Sequence, residues 1–384
     1  MNTSPATQYD ALALFSGGLD SLLAARLIQD MGLSVLCLHF TTPFFGKPQS
    51  IGYWEKTYGL AITPVDIGDE FVAMLAQRPE HGFGKVLNPC IDCKILMMRK
   101  ALALMEHFGA KALISGEVLG QRPMSQRRDT LNVIRRDAGV RNVLVRPLSA
   151  LLLEPSEAET SGLIDRERLF AISGRSRKDQ LALAATMGIT DIPAPAGGCR
   201  LTEKENARSY WPVLRHARNP KGADFELANT GRQYWSLPDS EERVPHWLCV
   251  GRNQADNAKL VELARPGDVL FKTAYFPGPV SLARPLDGEE WSLEAIRAAA
   301  AFTASFSPKA SSHAREKAVG VRVKVVPGST AKAIMDMAEN RDENGLIEVT
   351  PDRKTPLGWC EHAWDPAKEE LRAEARKRFG HDEV

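Results

Sequence analysis

Ala11-Leu12-Ala13-Leu14-Phe15-Ser16-Gly17-Gly18-Leu19-Asp20-Ser21 is a five-residue apolar run that breaks at a serine and two glycines. A helical pattern follows, carried by Leu22, Leu23, Ala25, Leu27 and Ile28, until Gly32 stops it. Residues 33–40 form a second apolar run. Strand, glycine turn, helix, strand is a βαβ unit and predicts a parallel sheet. Outward from this unit, 61–67, 112–115 and 142–146 read as further strands. Residues 97–107 read as a helix that ends near Gly109. The expected fold is α/β, a doubly wound parallel sheet, with ligands at the carboxyl ends of its strands.

The turn suits an anion. Glycines let backbone amides approach closely, and the helix start adds partial positive charge. Ser16 and Ser21 can donate hydroxyl hydrogen bonds to phosphate oxygens, while Asp20 suits a bound Mg²⁺. The stretch lacks the Gly-Lys-Ser/Thr ending of a Walker loop. A plain glycine turn capped by serine and aspartate is the competing interpretation.

Composition narrows the class. The chain has 384 residues, 43% hydrophobic and 25% charged, with formal net charge +1. It is sized for more than one globular domain and is no polycation, so nucleic-acid binding would need local patches. Residues 1–10 lack the basic start and apolar run of a signal peptide, and no window reaches the ~18 apolar residues of a spanning helix. A cytoplasmic location without membrane contact is expected. The sequence leaves the oligomeric state open, a homodimer included.

Six cysteines in a cytosolic chain of this length argue against a disulfide framework. Cys37, Cys249 and Cys360 read as packing residues. Cys90 and Cys93 open a helix in Asn88-Pro89-Cys90-Ile91-Asp92-Cys93-Lys94, a spacing that can ligate one metal. The helix end and Lys94 are expected to depress their pKa. Cys199 follows Pro195-Ala196-Gly197-Gly198, where a glycine pair allows close approach of something bulky. Zn²⁺ on three thiols and a Cys90/Cys93 persulfide couple remain alternatives. Ser115-Gly116-Glu117-Val118-Leu119-Gly120-Gln121 follows a strand, so Glu117 and Gln121 are expected to face the nucleotide; a helix-cap carboxylate is the plainer role for Glu117.

The hexapeptide Ser16–Ser21 resembles the loop of the PP-loop ATP-pyrophosphatase superfamily. With 89–94, 115–121, 122–126, Arg146-Pro147-Leu148, 174–178 and 195–202, the chain over about 10–205 resembles the tRNA thiouridine synthetases of that superfamily. The group is 4-thiouridine synthetase-like or 2-thiouridylase-like. The resemblance implies ATP and Mg²⁺ at Ser16, Gly17, Gly18, Asp20 and Ser21. It implies adenine over Leu38, His39 and Phe40, with Gly116, Glu117 and Gln121 nearby. His39 is equally readable as an ordinary strand-end histidine. The resemblance also maps Cys90, Cys93 and Cys199 onto ligands of a 4Fe-4S cluster with one iron free for hydrosulfide. With no rhodanese-like segment downstream, sulfide or a separate sulfur donor is expected. Asp20 and the three cysteines are the expected catalytic residues.

Between 122 and 146, Arg122, Arg127, Arg128, Arg135, Arg136, Arg141 and Arg146 stand against only Asp129 and Asp137. Arg175, Arg177 and Lys178 add a second basic group. Such density suits phosphates, and tRNA is the expected partner through Arg122, Arg127, Arg128, Arg175, Arg177 and Lys178.

The expected domains are 1–203, catalytic; 204–243, connecting; and 244–384, a smaller α+β domain. The last has strands at 247–250, 268–271, 281–283 and 319–326, a helix at 257–264 and a charged helical tail at 369–384. Val250-Gly251-Arg252-Asn253-Gln254, Asn257, Pro266-Gly267-Asp268 and Phe276-Pro277-Gly278-Pro279 resemble a small domain of ribosome-quality-control factors that engage tRNA. The 4-thiouridine enzymes usually carry RNA-binding modules before the catalytic domain. With the loop at Ser16, tRNA holding is expected of the second domain, or the target is a different uridine.

Three functions compete. The first is ATP-dependent tRNA uridine thiolation. The second is the same adenylation on a small-molecule carbonyl. The third is a non-enzymatic RNA-binding factor.

Overall fold

The computed structural model describes residues 8–194, 198–237, 245–287, 291–314, 317–326 and 346–380. Pro195, Ala196 and Gly197 before Cys199, Val244, and the tail beyond 380 lie outside them. The chain divides into two compact units, Met1–Glu203 with Arg372–Val384, and Lys204–Leu371.

The first unit is the expected parallel α/β sheet. Its strands are β1 (Ala11–Leu14), β2 (Val35–Thr41), β3 (Ala61–Asp66), β4 (Ala112–Ser115) and β5 (Leu144–Val145), in the order β3-β2-β1-β4-β5. All four pairings are parallel. Helices α1 (Leu19–Gln29), α2 (Ile51–Tyr58), α3 (Gly68–Ala76), α4 (Cys90–Phe108) and α5 (Arg128–Asp137) lie between them in sequence. Near-continuous apolar strands form because both faces are covered: Leu22, Ala25, Ile28, Trp54 and Tyr58 pack with Ala11, Ala13, Val35 and Cys37. Leu19, Leu23 and Leu27 pack with Val118, Leu148 and Ala184. Strand order reverses between β2-β1 and β4. The crevice at that reversal lies at the carboxyl ends of β1 and β4, whose register pairs Leu14 with Ser115. Topology therefore sets the Ser16 turn beside Gly116.

The second unit holds an antiparallel sheet in the order β11-β10-β8-β9-β7-β6. Its strands are β6 (Arg232–Trp235), β7 (Trp247–Val250), β8 (Val269–Thr273), β9 (Val280–Arg284), β10 (Val319–Val325) and β11 (Leu346–Val349). A helix at Leu293–Ala304 buries Ala295, Ile296, Ala299 and Phe302 against Leu248, Phe271, Ala283 and Val321. The apolar/basic alternation of β10 is real: Val321 and Val323 are buried, Arg322 and Lys324 exposed. Residues 204–235, which the sequence offered as a connection, fold as helices Lys204–His216 and Gly222–Ala228 and strand β6. Trp235 is fully buried and stacks on Trp247 at 5.2 Å. That pairing joins residues across a loop and is invisible to local pattern. The helix expected at 257–264 runs Gln254–Glu262, because Asn253 caps it through Asp256 N–H at 2.9 Å. The charged tail is the C-terminal part of a helix at Trp364–Phe379.

Candidate nucleotide and thiol site

The turn after β1 is shaped by Gly17, whose φ of +79° is a left-handed conformation. A Cβ there would also lie 2.4 Å from the Trp54 indole. Gly18 takes the N-cap position of α1, and no side chain caps that end. Neither serine nor aspartate caps this end, and a helix start of this kind suits an anion. Ser21 Oγ donates to Gly18 O at 2.8 Å and lies 3.2 Å from Ser16 Oγ, which fixes the turn; Ser16 itself is exposed.

Gly116 presses against this turn. A Cβ at Gly116 would lie 2.6 Å from the Asp20 carbonyl and the Ser21 nitrogen. Gln121 Nε2 donates to Asp20 Oδ2 at 3.2 Å, and Asp20 Oδ1 is buried without a hydrogen-bond partner. Glu117 is 2% exposed. Its Oε2 accepts from Arg146 Nε at 3.0 Å and from Ser115 Oγ at 3.1 Å, while Oε1 is buried and unpartnered. Burial opposes its ionisation, but Arg146 and Lys94 outweigh that and hold the carboxyl below its usual range. Two carboxylates thus each offer one unused, buried oxygen around a helix start, an arrangement suited to Mg²⁺ shared with phosphates.

Leu38, His39 and Phe40 are buried, at 0%, 2% and 4% exposure. Lys47 N–H donates to His39 Nε2 at 2.8 Å, so Nδ1 carries the proton and donates to Phe15 O at 2.9 Å. Neither ring nitrogen is left for a ligand. Trp54 is the residue that sequence reasoning missed. Its ring lies 5.0 Å from His39 and 5.4 Å from Phe15. The signal was present in the spacing of Ile51, Trp54 and Tyr58 along one helix face.

All six cysteines are free. Leu87 N–H donates to Leu201 O at 3.1 Å, which draws the Cys199 segment to the start of α4. Asn88 Nδ2 donates to Cys90 Sγ at 3.3 Å. Cys93 does not have the depressed pKa that its helix start and Lys94 suggested. Burial dominates and raises it, Cys199 and Cys90 add to the rise, and Lys94 offsets only part. Cys199 is pushed up to about 12, chiefly by burial, with Cys90 contributing. The three thiols are thus near enough to perturb one another. Among the described residues, however, no three His, Cys, Asp or Glu side chains are arranged to hold a metal ion. Three soft sulfur donors on one short backbone clasp suit an iron–sulfur cluster chemically, and coordination itself would deprotonate them.

The arginines divide. Arg146 belongs to the buried pair, Arg135 to Glu154, Arg127 to Asp129 and Arg136 to Asp137. Arg128 donates to Leu152 O. Arg122, Arg175 and Lys178 are exposed. The backbone bridge Leu119–Ser173 and the Gly174 N–H to Leu119 O bond at 2.7 Å set 174–178 beside the segment carrying Gln121 and Arg122.

The first unit sets a glycine turn and two carboxylates at the switch point of a parallel sheet, the place where open α/β sheets take their ligands. Residues 6–152 match the family model described as "Thiamine biosynthesis protein (ThiI)". Among curated relatives, a "tRNA sulfurtransferase" of Shewanella amazonensis is 34% identical over 154 residues, 38% of this chain and 30% of the relative. A "Probable tRNA sulfurtransferase" of Thermococcus kodakarensis is 27% identical over 154 residues, 38% of each chain. Residues 6–152, under half of the chain, are the part that is similar to these proteins. The chain spans well under half the length of these relatives. A solved structure described as a predicted subunit of tRNA methyltransferase from Methanocaldococcus jannaschii is 18% identical, with TM-score 0.28, over 36% of this chain and 68% of that one. Among the described residues no helix is long and apolar enough to cross a membrane.

Proposed function

We propose that the protein is an ATP-dependent tRNA sulfurtransferase that converts a uridine carbonyl to a thiocarbonyl. Two observations support this reading. One is the Ser16–Ser21 turn with the free oxygens of Asp20 and Glu117. The other is the Leu87–Leu201 backbone bond, which brings the Cys199 segment to the start of the helix that carries Cys90 and Cys93.

The uridine carbonyl oxygen attacks the α-phosphorus of ATP, and pyrophosphate leaves. Sulfide then attacks the activated carbon, and AMP departs with the former oxygen. Ser16, Ser21 and the α1 amides hold phosphates; Asp20 and Glu117 would hold Mg²⁺, which would supply charge stabilisation for the leaving pyrophosphate. Adenine lies at the ends of β1 and β2, read by backbone edges because the His39 nitrogens are occupied. A 4Fe-4S cluster on Cys90, Cys93 and Cys199 would leave one iron open to sulfide. Among the described residues no three side chains are arranged to hold a metal ion, which leaves a second interpretation, a Cys90/Cys93 persulfide relay.

Arg122, Arg127, Arg128, Arg175, Arg177 and Lys178 are assigned to tRNA phosphates, and the second unit to holding the tRNA body. The sulfur comes from free sulfide or a separate donor, and the reaction is assigned to the cytoplasm. The test is pyrophosphate release with ATP and Mg²⁺. Stimulation by tRNA, lost in a folded Asp20→Ala variant, supports the proposal. Release with small carboxylates or amides but not with tRNA would replace it by small-molecule adenylation.

A further inference from the structure

Between β2 and α2 the chain makes a narrow strap, 42–47. Thr42 N–H bonds to Phe45 O at 2.9 Å, and Thr42 Oγ1 accepts from Phe44 N–H at 3.1 Å and Phe45 N–H at 3.2 Å. Gly46, at φ +104°, turns the strap back onto β2; a Cβ there would lie 2.9 Å from Phe40 O. Phe44 and Phe45 pack on Phe71 at 5.6 and 5.5 Å.

The strap has one tie on each side. On one, Lys47 N–H is held by His39, whose other nitrogen holds Phe15 O, the residue just before Ser16. On the other, Arg200 N–H donates to Phe44 O at 3.0 Å, the residue just after Cys199. Bulk alone cannot replace the imidazole, because the link needs one donor and one acceptor on the same side chain. Burial lowers the His39 pKa, which keeps the neutral tautomer this link requires.

We infer that His39 is a positioning residue that ties the nucleotide turn, through the strap 42–47, to the Cys199 segment, so that nucleotide binding orders the sulfur-bearing arm. The inference rests on Ser16–Ser21 being the nucleotide turn. It assigns His39 a role other than touching adenine.

The test is amide hydrogen exchange on the full chain, with and without α,β-methylene ATP and Mg²⁺, for wild type, His39→Phe and His39→Gln. Glutamine can donate and accept in place of the ring; phenylalanine keeps the bulk only. In wild type, nucleotide should slow exchange in 16–21, 42–47 and 199–202 together. In His39→Phe, protection should persist in 16–21 and vanish from 199–202, and His39→Gln should restore it. Protection of 199–202 in His39→Phe equal to wild type overturns the inference. Wild-type protection confined to 16–21 also overturns it, while leaving the nucleotide turn intact. No protection anywhere in wild type overturns the nucleotide turn and the inference with it.

Discussion

Arg146 donates from Nε to Glu117 Oε2 at 3.0 Å, and the two side chains are only 5% and 2% exposed. A charge pair this deep joins β4's end to the residue after β5, across the floor of the crevice. Removing one partner leaves the other charge uncompensated, which costs about 3–5 kcal/mol. Arg146→Met and Glu117→Leu should each lower the unfolding free energy of the first unit by that order. The double substitution should cost less than the sum. Urea unfolding followed by circular dichroism checks this, and strict additivity would show that the pair is not coupled.

Gly116→Ala should leave the fold and disable the turn. Its Cβ would meet the Asp20 carbonyl, a backbone atom that cannot swing aside. Displacement of a binding group by an ångström can cost roughly 100-fold. Calorimetric titration with the non-cleavable ATP analogue should show a loss of that order.

The second unit should be acid-sensitive. Burial lowers the His216 pKa from 6.5 to about 4, helped by the charges of Arg215 and His362. Burial and Arg215 also lower His362, against the pull of Glu370. The unfolded chain protonates its histidines near 6.5 while the folded one resists. Stability from this source is therefore whole above pH 6.5 and is lost as pH falls toward 4. Thermal melting across that window should fall for wild type and fall less for His216→Phe, which keeps a ring against Trp235.

Iron should follow the thiols of the first unit. After anaerobic purification, about four irons and four sulfides per chain are expected, as for a 4Fe-4S site. Cys199→Ser should lose them. Cys249→Ala should keep them, since Cys249 is fully buried beside Gln233 in the second unit. Zinc alone, or no metal, would shift the sulfur chemistry to a persulfide on Cys90 or Cys93.

Local sequence announced the parts whose chemistry is local. Ala11 to Ser21 carried strand, turn and helix, and the turn's geometry follows from Gly17 and Gly18 themselves. Long-range pairings were hidden. Nothing near Arg146 says that it serves Glu117, and nothing near Arg135 says that it serves Glu154. An arginine-dense stretch therefore reads as an open basic face, although much of it is spent on internal carboxylates. His39 read as an adenine neighbour because the family resemblance implies adenine over the end of the second strand. Its partners, Phe15 O and Lys47 N–H, are brought to it only by the parallel pairing of β1 with β2 and the return of the strap. The expected low thiol pKa failed for Cys93 because burial, a tertiary property, outweighs the adjacent lysine.

The central claim is tested most directly by product analysis. The protein, purified anaerobically, is incubated with ATP, Mg²⁺, sulfide and unmodified tRNA, and the tRNA is digested and its nucleosides are weighed by mass spectrometry. The account predicts a thiouridine heavier than uridine by the exchange of oxygen for sulfur, matched by AMP, and absent in Asp20→Ala and Cys199→Ser. ATP cleavage to AMP and pyrophosphate with every uridine unchanged would contradict it.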